Sequence, residues 1–195
     1  MKAPLPEDEQ ARVETLRRFK VLDTEPEEVF DEITRLAALI TQTPTALITL
    51  VDSERQWFKS RFGFKPRETP RDISFCAHAI LQPGPLVVKD ALDDERFRDN
   101  PLVLKEPYIR FYAGFPLTSS EGHRLGTLCV LDTERRILFT EQLEAMESLS
   151  KVVMALLDTR RTVAFLEGAL NAKRKRIAEL EQARPAAGAQ TKTED

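Results

Sequence analysis

Tyr108-Ile-Arg-Phe-Tyr-Ala-Gly-Phe-Pro-Leu117, the turn Ser119-Ser-Glu-Gly122 and the return run His123-Arg-Leu-Gly-Thr-Leu-Cys-Val-Leu131 decide the fold. In the first run Ile109, Phe111, Ala113, Phe115 and Leu117 fall on one face. Tyr108, Arg110, Tyr112 and Gly114 fall on the other, the two-residue period of a strand. A tight turn then makes the pair an antiparallel hairpin. A second pair lies upstream. Thr45–Val51 is nearly all apolar or β-branched, which suits a central strand buried on both faces. After the turn Asp52-Ser-Glu54, residues 55–62 alternate, with Trp57, Lys59 and Arg61 against Phe58, Ser60 and Phe62. Leu86-Val-Val-Lys89 adds a short strand. Strands joined by tight turns do not form βαβ units, so the fold class is α+β: a central antiparallel sheet flanked by helices.

Helices stand at both ends. Residues 7–20 place Val13, Leu16 and Phe19 on one stripe among charged neighbours, and 1–20 is read as an N-terminal helical segment. Thr24-Glu-Pro-Glu27 has capping-box spacing, with Pro26 in the first turn. The helix after it sets Val29, Phe30, Ile33, Leu36, Ala37 and Ile40 on one face, and Pro44 ends it. Residues 21–140 form the core of the domain. From Thr140 a helix runs to about Ala183. Steps of seven from Gln142 reach Leu149, Leu156, Val163, Leu170 and Ile177. Steps of seven from Ala145 reach Val152, Thr159, Leu166, Lys173 and Leu180. This is an a/d heptad seam, the signature of a coiled coil. A second apolar row, Leu143, Met146, Val153 and Leu157, marks the half that packs on its own sheet. The expected interface of a parallel homodimer is Leu149, Val152, Leu156, Val163, Leu166, Leu170, Ile177 and Leu180. The alternative is one amphipathic helix folded back on its domain. The Ala-, Pro-, Gly- and Thr-rich tail 184–195 reads as disordered.

With a net charge of −3 over 195 residues, the chain has no electrostatic footprint for nucleic acid. No apolar run reaches the roughly 18–20 residues of a membrane span, and the N-terminus has no signal-peptide h-region. Two cysteines, Cys76 and Cys129, make no disulfide framework. Free thiols in a reducing cytosol are expected, with a single disulfide as the exception. The expected location is therefore cytoplasmic.

The stretch Glu68-Thr-Pro-Arg-Asp-Ile-Ser-Phe-Cys-Ala-His-Ala-Ile80 carries the densest chemistry. It turns from a Pro-punctuated loop into a short helix capped by Asp72 or Ser74. Cys76 and His78, two apart on a helix, point about 200° from each other and cannot act as nucleophile and base. The plainer reading of Cys76 is a small buried hydrophobe. A zinc site would need Cys76, His78, His123 and Cys129 together, and the spacing keeps them apart. No catalytic or metal residue and no cofactor is assigned. The candidate ligand pocket comprises Trp57, Arg71, Asp72, Phe75, Cys76, His78, Arg110 and Tyr112, suited to an anionic or planar ligand. The plainer alternative pairs the arginines with Asp72, Glu68 or Asp90 and places the aromatics in the core. Residues 90–106 form a polar loop of lid length, anchored by Phe97, Leu102, Val103 and Leu104.

Five runs together resemble the GAF family of regulatory domains: Leu22–Asp31, Leu50–Lys59, Glu68–Ile80, Phe111–Leu117 and Leu125–Asp132. They look most like members that precede histidine kinase or diguanylate cyclase domains in bacterial signalling proteins. The resemblance spans about residues 10–160. It implies terminal helices on one face of the sheet, a ligand pocket on the other, and dimerisation through the first and last helices. It also implies a histidine kinase or cyclic-dinucleotide signalling partner. The Asn-Lys…Phe…Asp-Glu run of cyclic-nucleotide-binding members is missing. Ala77 separates Cys76 from His78, unlike the Cys-His attachment site of bilin-binding members. Free methionine sulfoxide reductases of this fold use several pocket cysteines. A thiol enzyme of that kind or a bilin photosensor is the alternative reading. The expectation is a signal-input module without enzymatic activity, since no output domain follows.

Overall fold

A computed structural model of the chain describes residues 2–183. The predicted tail at 184–195 lies outside them. The elements are α1 (Glu9–Arg18), α2 (Glu28–Thr41), β1 (Thr45–Val51), β2 (Arg55–Phe62), β3 (Glu68–Pro70), a 3₁₀ turn (Arg71–Ile73), α3 (Phe75–Ala79), β4 (Leu86–Val88), α4 (Pro101–Leu104), β5 (Phe111–Thr118), β6 (Arg124–Asp132) and α5 (Thr140–Ala183). The six strands make one antiparallel sheet in the order β3-β2-β1-β6-β5-β4. β1 is paired on both edges, as its unbroken apolar run requires. Its neighbour approaches closely at Leu50 and Gly126, where a Cβ on Gly126 would fall 1.8 Å from the Thr49 carbonyl oxygen.

The sheet divides two cores. One face packs Ala46, Ile48, Leu50, Phe111, Ala113 and Phe115 against Leu16 and Phe19, against Phe30 and Ala37 of α2, and against Met146, Val153 and Leu157 of α5. The other packs Leu47, Phe58, Tyr112 and Cys129 against α3, β4, α4 and the segment between them. The alternation read from residue 111 onward holds. Ile109 belongs to the second core instead, because Tyr108 has φ +59° and the strand starts only at Phe111.

Two helical expectations are corrected. Thr24 does not cap α2: Glu27 occupies the N-cap without a side-chain bond, and the Thr24 hydroxyl donates to the Val21 carbonyl at 2.7 Å. The six apolar residues of α2 also do not all enter the core. Phe30, Ile33 and Ala37 are buried, while Val29 and Leu36, with Leu39, stay exposed. α2 and α5 pack antiparallel. The start of α5 meets the end of α2, where Gln142 donates to the Ile40 carbonyl at 2.8 Å. Further along α5, Arg160 donates to Glu27 at 2.8 Å. Beyond Arg161 every described residue of α5 is exposed. At about 1.5 Å per residue, residues 162–182 project roughly 30 Å.

Candidate functional site

The second core is assembled from three pieces of chain. The turn at residues 71–73 leads into α3, whose N-cap is Ser74. The Ser74 hydroxyl accepts from the Ala77 amide at 3.0 Å and is itself bonded to the Gln56 side chain. α3 is buried from Phe75 to Ala79. Over it lies the 90–106 segment: Phe97 stacks on Phe75 with centroids 4.1 Å apart, and His78 meets the Phe97 ring edge-on at 4.8 Å. Asn100 caps α4 by accepting from the Leu102 amide. Its amide group donates to the Ile73 carbonyl, fastening the segment to the turn before α3. Leu104, predicted as an anchor, is exposed, whereas Val103 is buried and Leu102 half-buried.

From the sheet side, Tyr112 enters between these pieces. Its ring lies back along β5 over Gly114, where a Cβ would fall 2.0 Å from the phenol oxygen. The hydroxyl donates to Cys76 Sγ at 3.3 Å. Cys76 Sγ is 3.8 Å from Cys129 Sγ, and both sulfurs are buried as free thiols. Thr49 and Thr127, hydroxyl to hydroxyl at 3.1 Å, complete a polar cluster inside apolar walls. Burial raises the Cys76 thiol, but hydrogen bonding from Cys129, Thr127, Thr49 and Tyr112 outweighs it and brings the pKa to about 7. Burial, then charge on the neighbouring sulfur, pushes Tyr112 up. Cys129 is raised by burial and by its bond to Cys76. The cavity left beside the two sulfurs is about 20 Å³, room for one water.

The eight predicted pocket residues therefore divide among several places. Phe75, Cys76 and Tyr112 line the small cavity, whereas His78 is outside its wall, packed against the Phe97 ring. Trp57 faces the opposite core and borders a polar cleft of about 490 Å³ with Lys59, Asp31 and Arg67. Arg71 and Asp72 line a separate groove of about 600 Å³ beside α1. There the buried Arg71 binds Glu9 and donates to the Asp52 carbonyl at 3.0 Å. Asp72 meets Lys2 at 2.9 Å. Arg110 is paired with Asp90, its Nε 2.7 Å from the carboxylate. His123 stands at the far end of the sheet, 2.7 Å from Asp8.

Two relationships went unread in the sequence. Alternation puts Cys129 on the same face as Thr127, but the docking of α3 that brings Cys76 to it leaves no signal in the residues around either cysteine. The Glu9–Arg71 pair joins residues 62 apart in sequence and leaves no local signal.

A six-stranded antiparallel sheet between two cores, with a terminal helix leaving the domain, is an α+β architecture. A GAF domain profile matches residues 25–171, and the chain belongs to the GAF family. It is 47% identical over 165 residues to a cyclic di-GMP phosphodiesterase of Pseudomonas aeruginosa. That match takes in 84% of this chain and 28% of the relative, so the chain spans little more than a quarter of the relative's length. The expectation of a protein without enzymatic activity does not stand, because this relative is named for an enzymatic one. Solved structures share the fold at low identity. The GAF domain of an Acinetobacter phosphoenolpyruvate-protein phosphotransferase has a TM-score of 0.60 at 15% identity, covering 78% of this chain and 96% of that one. A domain of a putative sensor histidine kinase from Sinorhizobium meliloti gives 0.57 at 14%, covering 72% and 97%. A free methionine-R-sulfoxide reductase from Thermoplasma acidophilum gives 0.56 at 11%, covering 73% and 94%. Among the described residues no helix is long and apolar enough to cross a membrane.

Proposed function

We propose that the chain is a regulatory GAF unit of cyclic di-GMP hydrolysis, working as a parallel dimer whose α5 helices carry the signal. The observation that carries this reading is the 47% identity to a named cyclic di-GMP phosphodiesterase across 84% of the chain. The shape of α5 supports the dimer. Its buried row, Met146, Val153 and Leu157, holds it to the domain, while Val152, Val163, Leu166, Leu170, Ile177 and Leu180 are each about half exposed along one line. Among the described residues, nothing in the same chain covers that seam. A second copy in register covers it by knobs-into-holes packing. Any change in the two cores that tilts or rotates α5 reaches the far end of the rod, because a continuous helix transmits such motion over its length.

The closed second core bears on the input. A cavity of about 20 Å³ admits nothing of nucleotide size unless α3 and the 90–106 segment move outward together. The experiment replaces the matching GAF segment of the Pseudomonas aeruginosa enzyme with this chain and measures cyclic di-GMP hydrolysis. The expected result is turnover that falls when Val163→Lys and Leu170→Lys are added. Turnover indifferent to the seam would reject the route.

A further inference from the structure

The buried thiol pair has no part in that reading, yet its surroundings are built for chemistry. The two sulfurs are in van der Waals contact at 3.8 Å, one on α3 and one on β6. A disulfide needs about 2.05 Å, so closure asks for an approach of under 2 Å from a five-residue helix. Tyr112, Thr49 and Thr127 surround Cys76 with hydroxyls able to stabilise a thiolate, the form that reacts with oxidants. The cavity beside the pair has Gln56 and Thr69 in its wall, and the Thr69 hydroxyl has no hydrogen-bond partner. The half-buried Phe64 and Leu102 also border it. The volume suits a water-sized molecule and excludes a bulky thiol such as glutathione.

We propose that Cys76 and Cys129 form a peroxide-reactive dithiol that closes to an intramolecular disulfide. The Cys76 thiolate attacks the O–O bond of hydrogen peroxide and becomes a sulfenic acid. The leaving hydroxide takes up the thiol proton and departs as water. Cys129 sulfur then attacks Cys76 sulfur, the S–O bond breaks, and hydroxide leaves as a second water with the Cys129 proton. Two thiols and one peroxide give one disulfide and two waters, with two electrons passing from sulfur to peroxide. The product draws α3 onto β6 and tightens the closed core.

The test treats the full chain with hydrogen peroxide, denatures it, alkylates with iodoacetamide and measures intact and peptide masses. The expected result is loss of two hydrogens, two thiols that no longer alkylate, and one peptide pair joining Cys76 to Cys129 within a single chain. Cys129→Ser removes that product. Tyr112→Phe, which keeps the ring over Gly114, slows its formation roughly tenfold by removing a hydrogen bond to the charged sulfur. Two thiols that still alkylate overturn the proposal. So do oxygen atoms added without a linked peptide, or a link between two chains.

Discussion

At the scale of single residues, two positions outside any catalytic constellation hold the architecture in place. Glu9 lies between Arg12 and Arg71 and ties α1 to the turn before α3. Burial raises its carboxyl, but hydrogen bonds from both guanidinium groups outweigh that and hold the pKa at about 2, against 4.5 ordinarily. The folded chain thus prefers the ionised form. Its contribution is complete above about pH 4.5 and is lost as pH falls through about 2. Acid unfolding followed by circular dichroism is expected to show Glu9→Gln losing less stability than the parent over that window. Equal losses would place the linkage elsewhere. Gly114 is the second residue. A methyl group there overlaps the fully buried Tyr112 ring, so Gly114→Ala is expected to cost about 1–3 kcal/mol in urea unfolding. Little of this was legible beforehand. Alternation placed Tyr112 and Gly114 on one face, but the ring's path along the strand is a matter of packing. Arg71 was singled out as a ligand contact and instead partners a residue far away in sequence.

At the scale of elements, periodicity proved the best guide. In α5 the second apolar row buries Met146, Val153 and Leu157, whereas the heptad positions divide: Leu149 and Leu156 pack partly on the domain's own core, and Val152, Val163, Leu166, Leu170, Ile177 and Leu180 are exposed. α2 shows where periodicity falls short. A helix face wider than the domain can cover leaves Val29, Leu36 and Leu39 in solvent. Sequence pattern records that these positions are apolar, not which neighbour covers them. We expect them to extend the dimer surface from the rod onto the domain. Leu36→Glu should weaken self-association as read by sedimentation velocity at decreasing concentration, without shifting the helical signal in circular dichroism. A dimer as tight as the parent would confine the interface to α5. The thiols illustrate a different gap. Their contact depends on how a helix of α3's length docks on a sheet, which neither residue's neighbours in sequence determine.

At the scale of the whole molecule, the alternating runs and tight turns point to an antiparallel sheet flanked by helices and the motif runs to the GAF family, while the β1–β6 pairing and the edge strand β3 join segments that no turn connects. The pocket is where sequence and structure diverge most. Eight residues of suitable chemistry are spread over both faces of the sheet and an outer groove, because side-chain type carries no information about which wall of a domain it lines. Activity was misjudged for another reason: residue patterns in this chain speak to a regulatory fold, and the link to cyclic di-GMP hydrolysis came through a relative more than three times its length. The account depends on two copies joined along the α5 seam. Light scattering coupled to size exclusion tests this most directly. The account predicts twice the chain mass of 22.2 kDa for the parent and the single mass for Val163→Lys with Leu170→Lys, both exposed on the projecting half of α5. A parent chain eluting at 22.2 kDa across the concentration range would contradict it.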